Sequence, residues 1–297
     1  MSLDLDQRQR AMLQEMGVRV WWPEAGAAAR EPLALESWTA PAITAPAQTR
    51  KESRNDSPPN EPATVDVLAA GIATMDWPTL RTSIVTCQAC QFGSARRAPV
   101  SSAAETRRQA DWMVVGEPPD EAEERAGAPF TGPAGQLLDN MLKAVGVSRN
   151  DAAEHGSAMA YVTNVVKCRP TPVRNPTPEE LATCENYLRR ELALVQPKVI
   201  LALGRFAALT LLQESVPDVT SIPLGKLRGQ IYRYQGIPVV VTYHPSYLLR
   251  TPLDKARAWA DLCLALHAAT LNQSNQNHHH RDDQQNVNES AHGVGGD

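Results

Sequence analysis

Four short apolar runs recur along this chain, and each is followed by a stretch with helical spacing. DWMVVGE (111–117) precedes GPAGQLLDNMLKAVGV (132–147). AMAYVTNVV (158–166) precedes TPEELATCENYLRRELALVQP (177–197). KVILALG (198–204) precedes RFAALTLLQ (205–213), and GIPVVVTYHP (236–245) precedes KARAWADLCLALHAATL (255–271). Runs this short and this apolar fit strands buried on both faces. Their alternation with helices predicts an α/β fold with a parallel sheet covered on both sides. Thr177 and Glu180 form a capping-box pattern at the start of the longest helix. Pro78 suits the first turn of a helix that delivers Cys87 and Cys90 at its end.

Composition sets the boundaries. Residues 1–23 include a short helical pattern and the pair Trp21–Trp22, a candidate docking arm for a protein partner. Seven of the 23 prolines fall between Pro23 and Pro62. Residues 24–75 therefore read as a Pro/Ala-rich linker unable to bury a core. Residues 76–271 form the expected folded domain. Residues 272–297 are a polar tail carrying His278–His280, which reads as a tag or a natural disordered tail. The net charge of −4 is uneven. Residues 85–270 hold 20 Lys+Arg against 18 Asp+Glu, and the two ends are acidic. A mildly basic body is compatible with nucleic-acid contact and equally with a solvated surface. No run is long and apolar enough for a membrane helix, and the N-terminus lacks a secretion signal. The expected location is a reducing cytoplasm, where paired cysteines read as metal ligands rather than disulfides.

Cys87 and Cys90 stand in a C-x2-C spacing, half of a metal site. Cys168 and Cys184 extend it to C-x2-C-x77-C-x15-C. Four thiolates suit a structural zinc ion or an iron–sulfur cluster, and spacing does not separate the two. Buried cysteines are also common core residues, and Cys263, in LCLAL, is expected to be one. The strand ends carry other chemistry. Ligands of a doubly wound sheet bind outside the carboxyl ends of its strands. Glu117, Asn164 and His244 follow or close three of the strands. A carboxylate, an amide and an imidazole are expected to meet at one edge.

The segments GEPPDEAEERAGAPFTGPAGQLLDNML, YVTNVVKCRPTPVRNPTPEELATCENYL, PKVILALGRFAALTLL and TYHPSYLLR together resemble the family 4 uracil-DNA glycosylases, the iron–sulfur branch of that superfamily. The resemblance runs from about residue 80 to 270. It implies a three-layer α/β/α sandwich with a central parallel sheet. It also implies a structural [4Fe–4S] cluster on Cys87, Cys90, Cys168 and Cys184. The implied activity is hydrolysis of the N-glycosidic bond of flipped-out deoxyuridine in single- or double-stranded DNA, leaving an abasic site. The implied enzyme is a monomer at the nucleoid. His244 would donate to the uracil oxygen that gains charge, and Glu117 would stabilise the sugar cation and orient water. Phe130 would stack on the base. The Asn164 amide would pair with the uracil edge. Glu123 would form a pocket wall that excludes a thymine methyl. Leu248 or Leu249 would wedge into the stack with Arg250 on a phosphate. Arg228, Lys167 and Arg169 would contact the backbone.

One departure stands out. The family pattern is Gly-Glu-x-Pro-Gly, and here it is Gly116-Glu117-Pro118-Pro119-Asp120. Pro118 has no backbone donor, so any contact its amide would make to the base is lost. Asp120 tolerates a left-handed turn better than most residues. The departure and the long N-terminal extension would suit an accessory protein that binds uracil or DNA without catalysis. A relative that traps the sugar covalently would carry a His-containing basic insertion before the last strand. PLGKLRGQIYRYQGIP has no histidine.

Overall fold

The computed structural model describes residues 70–92, 98–102, 109–149, 158–170 and 174–272. The expected arm, the linker up to residue 69 and the tail from 273 lie outside them. In chain order the elements are α1 (Trp77–Thr86), β1 (Trp112–Gly116), α2 (Glu121–Ala126), α3 (Gly132–Ala144), β2 (Val147–Ser148), β3 (Ala158–Asn164), α4 (Pro178–Val195), β4 (Val199–Leu203), α5 (Arg205–Leu212), α6 (Leu224–Leu227), β5 (Ile231–Tyr234), β6 (Ile237–Thr242) and α7 (Pro245–Arg250). A final helix, α8, spans 255–272.

The strands form one sheet in the order β2-β3-β1-β4-β6-β5. β1 pairs in parallel with β3 and β4, and β4 with β6. Among the described strands only the edge strand β5 runs antiparallel, against β6. It is the one departure from the expected parallel sheet. Alternation along each strand divides the core in two. Met113, Val115, Ile200, Ala202, Val239 and Val241 pack with α1, α4 and α5. Trp112, Val114, Leu201, Leu203 and Val240 pack with α3, α7 and α8. The result is the three-layer sandwich.

Local chemistry explains the helix starts. Thr177 and Glu180 close the expected capping box on α4. The stretch after β1 contains α2, because Asp120 and Glu123 form a second capping box. Asp120 sits in extended backbone at φ −88°, so the turn after Pro119 needs no left-handed residue. The folded part also starts before residue 76: residues 70–73 are helical, and Ile72 is fully buried in the core. Cys263, expected as core, is exposed on α8.

Leu138 is completely buried on α3, whereas Leu253 is 91% exposed. Leu138→Ala should therefore lower the unfolding free energy by about 2–5 kcal/mol. Leu253→Ala should change it by less than about 0.5 kcal/mol. Urea unfolding followed by circular dichroism checks both.

Candidate active site at the carboxyl edge of the sheet

Parallel pairing puts the ends of β1, β3, β4 and β6 side by side. Gly116 of β1 lies in register with Asn164 of β3, Glu117 follows β1, and His244 follows β6. The three expected residues are thus brought to one edge.

Glu117 is seated on the first turn of α5. Its Oε1 accepts from the Phe206 backbone N–H at 3.1 Å, and the Arg205 amide also donates to the carboxylate. The seat exists because residue 204 is glycine. Gly204 has φ +98°, and a Cβ there would lie 2.0 Å from Glu117 Oε1. Sequence reasoning passes over Gly204, although a lone glycine between strand and helix was the available signal. Burial pushes the Glu117 carboxyl from an ordinary 4.5 up to about 7; the two amides and the Arg205 charge oppose the rise.

Asn164 closes β3 and is 2% exposed. Its Nδ2 donates to the Glu117 carbonyl at 2.8 Å and to Glu123 Oε1 at 3.3 Å. Its Oδ1 is buried with no hydrogen-bond partner. The donor half of the amide is thus engaged inside the protein, and the acceptor half is the one without a partner. Glu123 is a bracket. Its Oε1 accepts from Phe130 N at 2.5 Å, and its Oε2 from Asp120 N at 2.8 Å. Burial raises its carboxyl above the ordinary value, against the pull of these donors.

Phe130 takes the left-handed region at φ +53°. Its ring lies directly over Gly116, where a Cβ would come within 2.4 Å of it. The ring centroid is 5.1 Å from that of His244, at an interplanar angle of 30°. His244 is the N-cap of α7. Its Nδ1 accepts from Ser246 N at 3.3 Å and lies 2.8 Å from Ser246 Oγ. An Nδ1 that accepts from a backbone N–H carries no proton, so the neutral ring holds its hydrogen on Nε2. Burial pushes the imidazole from 6.5 down to about 4; nearby Asp120 opposes this and Arg250 adds to it. Pro118 is half-buried beside Glu117.

The expected DNA contacts separate by exposure. Leu248 is fully buried against the core, which removes it as a wedge, while Leu249 is 44% exposed. Arg250 is exposed. Lys167 is not a surface cation: it is 2% exposed, with Nζ 2.7 Å from Glu191 Oε2. Arg228 is turned inward onto Asp261 at 2.7 Å and lies over the Tyr243 ring. Arg169 faces Glu124 at 3.3 Å and Glu121 at 3.9 Å.

Cys87, Cys90, Cys168 and Cys184 line one small cavity together with Ile84, Lys167, Thr183 and Tyr187. The donor set is all thiol, with no carboxylate or imidazole lining the cavity among the described residues. The Lys167 backbone N–H points at Cys184 Sγ, 3.3 Å away. Burial pushes the Cys184 thiol up to about 12, against the Lys167 charge. Among the described residues no group of three or more His, Cys, Asp or Glu is drawn to metal-binding distances. The residue types and their shared cavity fit a four-thiolate centre. A second cavity of about 470 Å³, lined in part by Trp77, Arg81, Tyr161 and Glu191, contains none of the edge residues.

Fold and edge together define an α/β sandwich with a polar site at the carboxyl ends of its strands. The chain belongs to the uracil DNA glycosylase superfamily, whose family model matches residues 104–263. It is similar to the type-4 uracil-DNA glycosylase of Pyrobaculum aerophilum, at 35% identity over 64% of this chain and 93% of the relative. It is also similar to that of Archaeoglobus fulgidus, at 35% over 57% of this chain and 81% of the relative. The type-4 enzyme of Thermotoga maritima is 40% identical over 49% of this chain and 69% of the relative. The resemblance carried by the four motifs is borne out.

The Glu117 shift has a testable consequence for stability. Its folded pKa of about 7 lies above the ordinary 4.5, so the folded state holds this proton more tightly than the unfolded chain. Stability from this group is therefore present at low pH and lost as pH rises through the window between the two values. Glu117→Gln should gain in melting temperature relative to the parent protein on going from pH 5 to pH 8. Thermal melts at the two pH values measure the difference.

Proposed function

We propose that this chain is a uracil-DNA glycosylase that releases uracil from DNA and leaves an abasic site. The observation that carries the reading is the convergence, at one sheet edge, of a carboxylate, an amide with an open acceptor and an imidazole held neutral. The names of the type-4 relatives point the same way. A base must leave the stack to reach such an edge. Uracil carries a hydrogen at N3 that the Asn164 Oδ1 accepts. Cytosine has no hydrogen at that position and leaves the acceptor unmet, which costs affinity. Breaking the glycosidic bond builds negative charge on the base, and the His244 Nε2–H donates to the base oxygen that receives it. The ionised Glu117 faces the sugar, where it stabilises positive charge and orients the attacking water. Phe130 stacks on the base, Leu249 enters the stack behind it, and Arg250 meets a phosphate.

Cys87, Cys90, Cys168 and Cys184 would hold a [4Fe–4S] cluster, which supplies a structural cross-link between α1, the end of β3 and α4. None of the catalytic groups above belongs to that set. The arm at residues 1–23 is the proposed contact for a protein partner, on the strength of Trp21–Trp22, and the enzyme is proposed to act as a monomer. The non-catalytic reading draws on the GEPPD departure. Asp120 caps α2 from extended backbone, so the departure leaves the turn intact.

A labelled single-stranded oligonucleotide with one uracil, incubated with cluster-loaded protein and treated with alkali, should be cut at the uracil. Intact oligonucleotide from folded, iron-loaded protein would sink the enzyme reading. The rate should rise with pH through about 7 as Glu117 ionises, and Glu117→Gln should remove that rise. His244→Ala should cost about 10²–10³-fold in kcat with iron content unchanged. The protein should be brown, with iron and sulfide in equal amounts, and Cys184→Ala should lose both. Colourless protein containing zinc would overturn the iron–sulfur assignment.

A further inference from the structure

Lys167 has no task in the chemistry above, yet few side chains in the domain are tied down so completely. Its ammonium donates to Thr163 Oγ1 at 2.6 Å, to the Asn164 carbonyl at 3.0 Å and to Glu191 Oε2 at 2.7 Å. An ammonium has three hydrogens, and each has found an acceptor. Glu191, 1% exposed on α4, also accepts from Tyr161 Oη at 3.0 Å and Thr163 Oγ1 at 3.1 Å. Burying such a pair gains little stability over two apolar residues of the same size. Packing alone does not account for it.

What the pair does hold is the end of β3. Thr163 and Asn164 are consecutive, so their side chains leave the strand on opposite faces. The ammonium grips the side chain of the first and the backbone carbonyl of the second. Those two points of attachment fix the rotation of the strand end about its own axis. That rotation decides where the Asn164 amide points, and the amide is clamped at its other end by the Glu117 carbonyl and Glu123. Lys167 is itself anchored through its backbone. Its N–H meets Cys184 Sγ, and its carbonyl accepts from Val100 N at 2.7 Å.

We propose that Lys167 is a positioning residue for Asn164: through its grip on Thr163 and the Asn164 carbonyl, with Glu191 as counter-ion, it aims the open Oδ1 at the base. The inference rests on the base-recognition role proposed for Asn164. A positioning residue acts only through the group it positions, so a double-mutant cycle tests it.

Lys167→Met is made in the parent protein and in Asn164→Ala. Single-turnover rates and KM are measured on the uracil oligonucleotide, with iron content and melting temperature as independent readouts. In the parent, Lys167→Met should lower the single-turnover rate about 100-fold, with iron content little changed. In Asn164→Ala the same change should have almost no further effect. An equal loss in both backgrounds would overturn the proposal and leave Lys167 a purely structural residue. If Lys167→Met alone does not fold, the apolar pair Lys167→Met with Glu191→Met takes its place in both backgrounds and is read the same way. Full activity of Asn164→Ala by itself would instead refute the role of Asn164, a result separate from any outcome for Lys167.

Discussion

Parallel pairing forces the strands β1, β3, β4 and β6 to finish at the same edge, and the site depends on that. The register of Gly116 with Asn164 levels two strand ends to the residue. Their next polar groups are then close enough for the Asn164 amide to bond the Glu117 carbonyl at 2.8 Å. A slip of one residue would turn Asn164 into the core and bring Thr163 to the pocket face. The two apolar layers on either side of the sheet make such a slip costly, since every inward residue would turn outward with it.

Around that edge the molecule repeatedly uses main-chain groups to hold acidic side chains. Glu117 rests on amides at the start of α5, and Glu123 gathers the Asp120 and Phe130 amides. The His244 ring accepts from the backbone of the helix that it starts. Main-chain groups of packed elements move little, so each side chain stays oriented before any substrate arrives. Burial then sets the charge: the Glu117 carboxyl rises to about 7, and the imidazole falls to about 4.

The sheet, most helices and the three strand-end residues were legible in the sequence, because apolar runs of strand length and helical spacing report burial directly. What escaped depends on the phase of short elements and on tertiary partners. In the six-residue α7, Leu248 and Leu249 are indistinguishable until packing places one inward. Lys167 reads as a surface cation because its counter-ion, Glu191, lies 24 positions away on another element. The bracket role of Glu123 needs the Phe130 amide, which only the left-handed turn at that residue brings into reach. The four cysteines share a cavity, as their pattern suggested. In β5, the sequence IYRY alternates too briefly, and too polar at its centre, to announce an edge strand.

Gly204 carries a consequence for reading other chains. The space its missing side chain leaves is occupied by the Glu117 carboxylate itself, so helix start and carboxylate share one volume. A protein of this architecture with any side chain at the corresponding position must seat its carboxylate elsewhere or do without it. A single small residue, distant in sequence from the acid, thus becomes a criterion for sorting active-site designs within the fold.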